Sequence, residues 1–239
     1  SVSNGMWKAE FPPMTAQTGI TITARAGEES ITVSDVAVGM VLLASGQSNM
    51  QFSLDKTADA EEYTSKIKDR TGVRIMTVQR SGESALSQTP AVNPYGANWS
   101  CGDEYTANKT SAIGYITACK LYDDTNNPEG VIDINLNGSS ISAWESPEVI
   151  RSRPDQYQTL IDRLSQEPET EHKWKSYPTG LFNSLIRPLE NYKIGAVLWY
   201  QGEGDSGSQS SVNAYQYLLY DLISMWRAHF GNEELPVVL

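Results

Sequence analysis

Two periodicities divide the chain. In residues 18–24 (TGITITA) and 29–39 (ESITVSDVAVG) apolar and polar positions alternate, and the Gly27–Glu29 turn lies between them. A period of two with little helix signal predicts a pair of strands, so residues 1–39 read as a β segment, the expected tail of a larger β domain. From Val41 onward the apolar positions come in unbroken runs: VLLAS, VRIMTV at 73–78, VIDINLN at 131–137, IGAVLWYQ at 194–201 and LPVVL at 235–239. Such runs predict strands buried on both faces. Helical stretches are expected over 58–69, 111–123, 155–165, 179–191 and 212–230. Strands alternating with helices define an α/β domain over 40–239 with a mainly parallel sheet covered on both sides. Residues 82–109, with Pro90, Pro94 and Gly96, and the Gly/Ser-rich stretch 202–211 read as loops at the carboxyl edge of that sheet.

The strand ends carry the chemistry. Three of them run into polar, small-residue turns: Ser45-Gly46-Gln47-Ser48-Asn49-Met50, Asn137-Gly138-Ser139-Ser140 and Tyr200-Gln201-Gly202-Glu203-Gly204-Asp205. In a parallel sheet all three fall on one edge and can converge, which is where open α/β sheets place their ligands. Ser48 has two readings here. It either caps the next helix or presents a hydroxyl and its own N–H to one point, as acyl transfer requires. Acyl transfer also needs donors about 3 Å from the developing oxyanion, and a bare Gly138 N–H and the Gln201 amide can serve.

Composition narrows the partners. The 239 residues hold 18 basic and 29 acidic side chains, a formal charge of −11, which repels phosphate backbones and anionic membranes. No nucleic-acid or membrane partner is expected, and no apolar run approaches the roughly 20 residues that span a bilayer. The chain opens at Ser1, as a processed or trimmed chain does, and a secreted, periplasmic or lysosomal setting fits the composition. Cys101 and Cys119 are too few for a disulfide scaffold or a zinc site, and either a bridge or two free thiols is compatible with their number.

Gly46-Gln47-Ser48-Asn49-Met50, Ile141-x-Ala143-Trp144 and Trp199-Tyr200-Gln201-Gly202-Glu203 together resemble the sialate O-acetylesterase branch of the SGNH hydrolases. Phe11-Pro12-Pro13-Met14, Ser34-Asp35-Val36, Ser111 to Tyr115, Leu181-Phe182-Asn183, Ile186 to Leu189 and Trp226-Arg227 extend the resemblance in the same order along the chain. It implies a flavodoxin-like three-layer α/β/α sandwich and a serine carbohydrate esterase that removes O-acetyl groups from sialic acids without metal or cofactor. Ser48 is then the nucleophile, and its N–H, the Gly138 N–H and the Gln201 amide form the oxyanion hole. Gln47, Asn49, Glu203 and Trp144 support the pocket. A second reading keeps Gln201 and Glu203 as braces of their loop. Related esterases act on acetylated xylan, and a catalytically inactive carbohydrate-binding relative is the alternative of another class.

The resemblance also implies a D-x-x-H motif, which these residues lack. His229, on the last long helix, reads as structural. His172, three residues after Glu169, is a weak candidate for the general base. The expectation is that the Asp and His come from outside this chain, from further sequence or a second polypeptide.

Overall fold

A computed structural model describes residues 2–3, 6–7, 9–78, 98–164 and 176–239. Two short strands, β1 (Val2–Ser3) and β2 (Met6–Trp7), pair antiparallel, and β3 (Gln17–Ala26) and β4 (Glu29–Val38) form the expected hairpin. Its two-residue turn pairs Ala26 with Glu29. The hairpin forms a separate sheet and keeps Ile31 and Val33 largely exposed.

The main sheet contains β5 (Met40–Gly46), β6 (Val73–Thr77), β7 (Asn98–Ser100), β8 (Glu129–Asn135), β9 (Ala196–Tyr200) and β10 (Val237–Val238) in the order β10-β9-β5-β8-β6-β7. Every pairing is parallel except β6 with β7. Set aside β6 and β7, and the order β8-β5-β9-β10 is 2-1-3-4 of the flavodoxin-like pattern. The strand expected at 73–78 is therefore an addition outside β8.

Alternate residues of the same strands feed two separate cores. Leu42, Ala44, Ile75, Val131 and Leu198 pack with Tyr115, Ala118 and Cys119 of the helix at Ala112–Thr125. Leu43, Met76, Ile132, Ile134, Val197 and Trp199 pack on the other side with Leu218, Leu222 and Trp226 of the helix at Gln209–His229. Spacings of three and four residues put each set on one helix face. The result is the expected three-layer α/β/α sandwich.

In chain order the described α-helices are α1 (Ala60–Thr64), α2 (Glu104–Lys109), α3 at Ala112–Thr125, α4 (Pro147–Ser152), α5 (Pro154–Leu164) and α6 at Gln209–His229, and those other than α3 and α6 are short. The helix expected over 58–69 shrinks to α1 with 3-10 turns at Leu54–Lys56 and Ile67–Asp69, because the segment bends to bury both Leu54 and Tyr63 in one core. The one expected over 179–191 becomes a π turn at Phe182–Ile186 followed by a 3-10 turn. Pro188 explains this: its ring would meet the carbonyl four residues back in an α-helix, and the Arg187 N–H instead reaches Phe182 O. Of the loop expected over 82–109, residues 82–97 lie outside the described residues, while 98–109 form β7 and α2. Cys101 and Cys119 are both free, the first exposed and the second buried. Among the described residues no helix is long and apolar enough to cross a membrane.

Candidate active site

The turn after β5 starts with a backbone that only glycine fits. Gly46 has φ +141°, and a Cβ there would lie 2.2 Å from Tyr200 O. The close approach lets the Gln47 N–H donate to Tyr200 O at 2.9 Å, while Leu136 N–H donates to Gly46 O at 2.9 Å. The end of β5 is thereby fastened to the ends of both neighbouring strands. Gln51 N–H donates to Gln47 O at 2.9 Å and closes a single turn that leaves Ser48 exposed at its outer side. The helix-cap reading of Ser48 does not hold. The turn does not continue as a helix, and the next helical element, at Leu54–Lys56, has Ser53 at its N-cap position.

Side chains then tie the three turns together. Gln51 Oε1 accepts from Asn137 N at 2.8 Å, which fixes the approach to Gly138, where φ is +71°. Gln47 is buried, and its Oε1 accepts from Gly202 N at 3.2 Å and Gly204 N at 2.9 Å. A Cβ at Gly204 would lie 2.5 Å from Ser139 O, so the second and third turns touch through backbone alone. Asn49 donates through Nδ2 to Glu203 Oε1. The Tyr215 hydroxyl, from α6, donates to Gln201 O at 2.6 Å.

Gln201 and Asp205 form the inner brace. Gln201 Nε2 donates to Ser139 O at 3.0 Å and to Asp205 Oδ2 at 2.6 Å, and Ile141 N donates to the same Asp205 oxygen at 2.9 Å. Gln201 Nε2 thus meets two acceptors, and the bracing reading describes this geometry. Burial pushes the Asp205 carboxyl above its usual range, while the two donors act in the opposite direction. Asp205, to which the sequence assigns no catalytic role, is the hub that joins the second turn to the third. The signal was present as an acid four residues after Gln201 in a turn.

Trp144 is fully buried, donates through Nε1 to Ser139 Oγ at 3.1 Å, and stands edge-on to Trp199 at 5.8 Å. It supports the Gly138 turn from below. His229 is half-buried at the far end of α6, with Nε2 3.1 Å from Ile186 O and its ring against Phe182 and Phe230. Burial lowers its pKa, in keeping with the structural role expected. His172 lies outside the described residues. Among the described residues, Ser48 has no imidazole bonded to its hydroxyl, and no cluster of His, Cys, Asp or Glu could hold a metal ion.

A three-layer sandwich whose parallel strands end in polar turns at one edge belongs to the open α/β class that places its ligands at that edge. Residues 38–239 match the family model described as carbohydrate esterase, sialic acid-specific acetylesterase, and the chain belongs to that family. It is 29% identical over 235 residues to the Homo sapiens sialate O-acetylesterase, covering 94% of this chain and 43% of that protein. The Mus musculus sialate O-acetylesterase is 28% identical over 229 residues, 85% of this chain and 42% of that protein. The chain thus spans less than half the length of the curated relatives it matches. The crystal structure of a carbohydrate acetylesterase from Xanthomonas citri superposes with a TM-score of 0.81 at 27% identity, covering 98% of this chain and 48% of that one.

Proposed function

We propose that the chain carries the nucleophile half of a serine carbohydrate O-acetylesterase acting on O-acetylated sialic acids. The observation that carries the reading is the exposed Ser48 on a turn immobilised from both sides by Gly46, Gln47 and Gln51. An immobile turn aims the hydroxyl before substrate arrives, and fixed backbone donors stabilise charge without reorganising. Ser48 Oγ attacks the acetyl carbonyl carbon while its proton passes to a base. The N–H groups of Ser48 and Gly138 receive the oxyanion, and Gln201 holds Ser139 and Asp205 so that the second turn keeps its place. Collapse of the tetrahedral intermediate breaks the C–O bond to the sugar, whose oxygen takes the proton from the base. Water then attacks the acetyl-enzyme, and acetate and free Ser48 result.

The base comes from outside the described residues, and we assign it to a histidine beyond this chain rather than to His172. Acetate release from O-acetylated sialic acid, compared with acetylated xylan, tests the substrate. Preference for the sialic acid supports the reading, and preference for xylan replaces it with the polysaccharide esterase. Fluorophosphonate labelling of Ser48 in the full-length protein tests the nucleophile, and no labelling there favours the inactive carbohydrate-binding relative. If the 239-residue chain alone hydrolyses p-nitrophenyl acetate through Ser48 and loses this on His172→Ala, the assignment of the base is wrong.

A further inference from the structure

On the face of the sheet that α3 covers, the outer strands are half bare. Strand alternation puts Leu198 and Tyr200 of β9 on that face, and the register sets Val238 of β10 beside Leu198. Leu198 is buried in the core under α3, whereas Tyr200 is 46% and Val238 57% exposed. The opposite face of the same strands is closed: Val197 and Trp199 are buried, and Val237 packs on the core built with α6. α3 itself lies over β8, β5 and β6. A helix about 10 Å across reaches over two or three strands set about 4.8 Å apart, so α3 cannot also cover β10. Parallel sheets are covered on both faces, and the described residues leave room for one more helix beside α3.

A groove of about 610 Å³ marks that place. Asn49, Phe52, Ile113, Ile116, Thr117 and Tyr200 are among its walls. Ile113, Ile116 and Thr117 follow the three- and four-residue spacing of one face of α3. Phe52 and Ile113 are both exposed, and none of the described residues lining the groove is charged. A contiguous exposed apolar surface marks an interaction site, and this one begins at the residue after Ser48. Whatever fills the groove therefore also passes the nucleophile turn.

Shape and chemistry select the occupant. A strongly charged partner finds no opposite charge in this lining. A helix satisfies its own backbone groups, and one with an apolar stripe buries that stripe on Phe52, Ile113 and Tyr200 while its polar side faces water. Its width also matches the gap beside α3. The relatives have the length to supply it. The chain covers 43% of the Homo sapiens sialate O-acetylesterase and 48% of the Xanthomonas citri structure, which it follows over 98% of its own length.

We propose that this groove seats an amphipathic helix from a part of the same polypeptide beyond these 239 residues, packed beside α3 with its apolar stripe on Phe52, Ile113 and Tyr200. Seated there, the added segment runs past Ser48 and holds the base within reach. That consequence rests on the proposed function, whereas the docking stands without it.

The test is photo-cross-linking in the full-length protein, with Ile113→p-benzoylphenylalanine and Thr117→p-benzoylphenylalanine as separate variants and the linked peptide identified by mass spectrometry. The expected product, in the monomer fraction, joins either position to a peptide outside the 239 residues whose apolar residues recur at three- and four-residue spacing. A link to a peptide within the 239 residues, a link to a second copy or another protein, or no link from either position overturns the proposal. Ile113→Asp, which sets a charge in the uncharged groove, is expected to slow fluorophosphonate labelling of Ser48 in the full-length protein by at least about tenfold, while Ile113→Val labels as the parent does. The expected cross-link with labelling unchanged in Ile113→Asp keeps the docking and overturns its link to the base. Absence of labelling in the parent counts against the proposed function, and the cross-link still decides the docking.

Discussion

At the carboxyl edge of the sheet, Gln47, Gln201 and Asp205 each bond groups on a neighbouring turn, whereas at the amino edge Arg74 of β6 is tied to Asp35 of the hairpin and the Glu129 carboxyl is buried at the start of β8. The same strands run between the two edges, so the difference does not come from the sheet. It comes from what the connecting segments supply. Small-residue turns bring backbone N–H groups into reach of buried amides, while the hairpin covers the other edge with Asp35, which accepts from the terminal nitrogens of Arg74 and from Cys101 Sγ. One edge is cross-tied from turn to turn, and the other is held to the hairpin by an ion pair.

The comparison breaks most severely at Ser48. Ser48→Ala is expected to lower Ser48-dependent acetate release by the full-length protein by at least about 10⁴-fold, with an unchanged denaturation midpoint because the side chain is exposed. A midpoint shift, or activity that persists, places the chemistry elsewhere. Gly46→Ala comes next. The added Cβ meets Tyr200 O at 2.2 Å on a backbone that alanine avoids, so a loss of about 3 kcal/mol or more in urea unfolding is expected. A loss under about 1 kcal/mol would mean that the β5 and β9 ends are not held as tightly as described.

Gln47→Leu leaves the N–H groups of Gly202 and Gly204 without their acceptor and is expected to cost about 1 to 3 kcal/mol. Fluorophosphonate labelling of Ser48 should slow with it. Unchanged labelling would separate the brace from the nucleophile turn.

Glu129→Leu sharpens the other side of the comparison through its pH dependence. The Glu129 pKa is raised in the fold from 4.5 to about 7, so the folded chain binds more protons than the unfolded chain between those values. Stability contributed by this residue is present below pH 4.5, declines as pH rises toward 7, and is level above that. Glu145, wholly buried and also pushed up by desolvation and by Asp221, acts in the same direction. The difference between parent and Glu129→Leu isolates Glu129. The variant should gain about 1 to 3 kcal/mol relative to the parent between pH 4.5 and 7, and a gain that does not vary with pH would contradict the assignment.

The three converging turns were legible because each follows an apolar run long enough to read as a strand, and because glycine and polar residues punctuate them. The two-strand segment and the last helix were legible for the same reason of period. What could not be read were ties between side chains distant in sequence. Nothing local to Gln47 says that its amide oxygen bonds Gly202 and Gly204, or that Gln201 Nε2 reaches Ser139 and Asp205. The π turn at Phe182–Ile186 escaped for a related reason. Its helical pattern is real, and the effect of Pro188 is to change the bonding period rather than to end the helix. The extra strand β6 was recognised as a strand, but its place outside β8 depends on pairing that periodicity does not encode.

The two thiols bear on how the two edges can be followed in one molecule. Cys101 stands exposed at the amino edge beside Asp35, while Cys119 is sealed in the core with its pKa raised to about 11. An alkylating dye added to the folded chain therefore attaches at the amino edge alone. A fluorophosphonate dye that phosphonylates Ser48, with loss of fluoride, marks the carboxyl edge. The pair would form a ruler roughly 20 Å long across the sheet, with one end reporting on ester chemistry and the other on the seat of the hairpin.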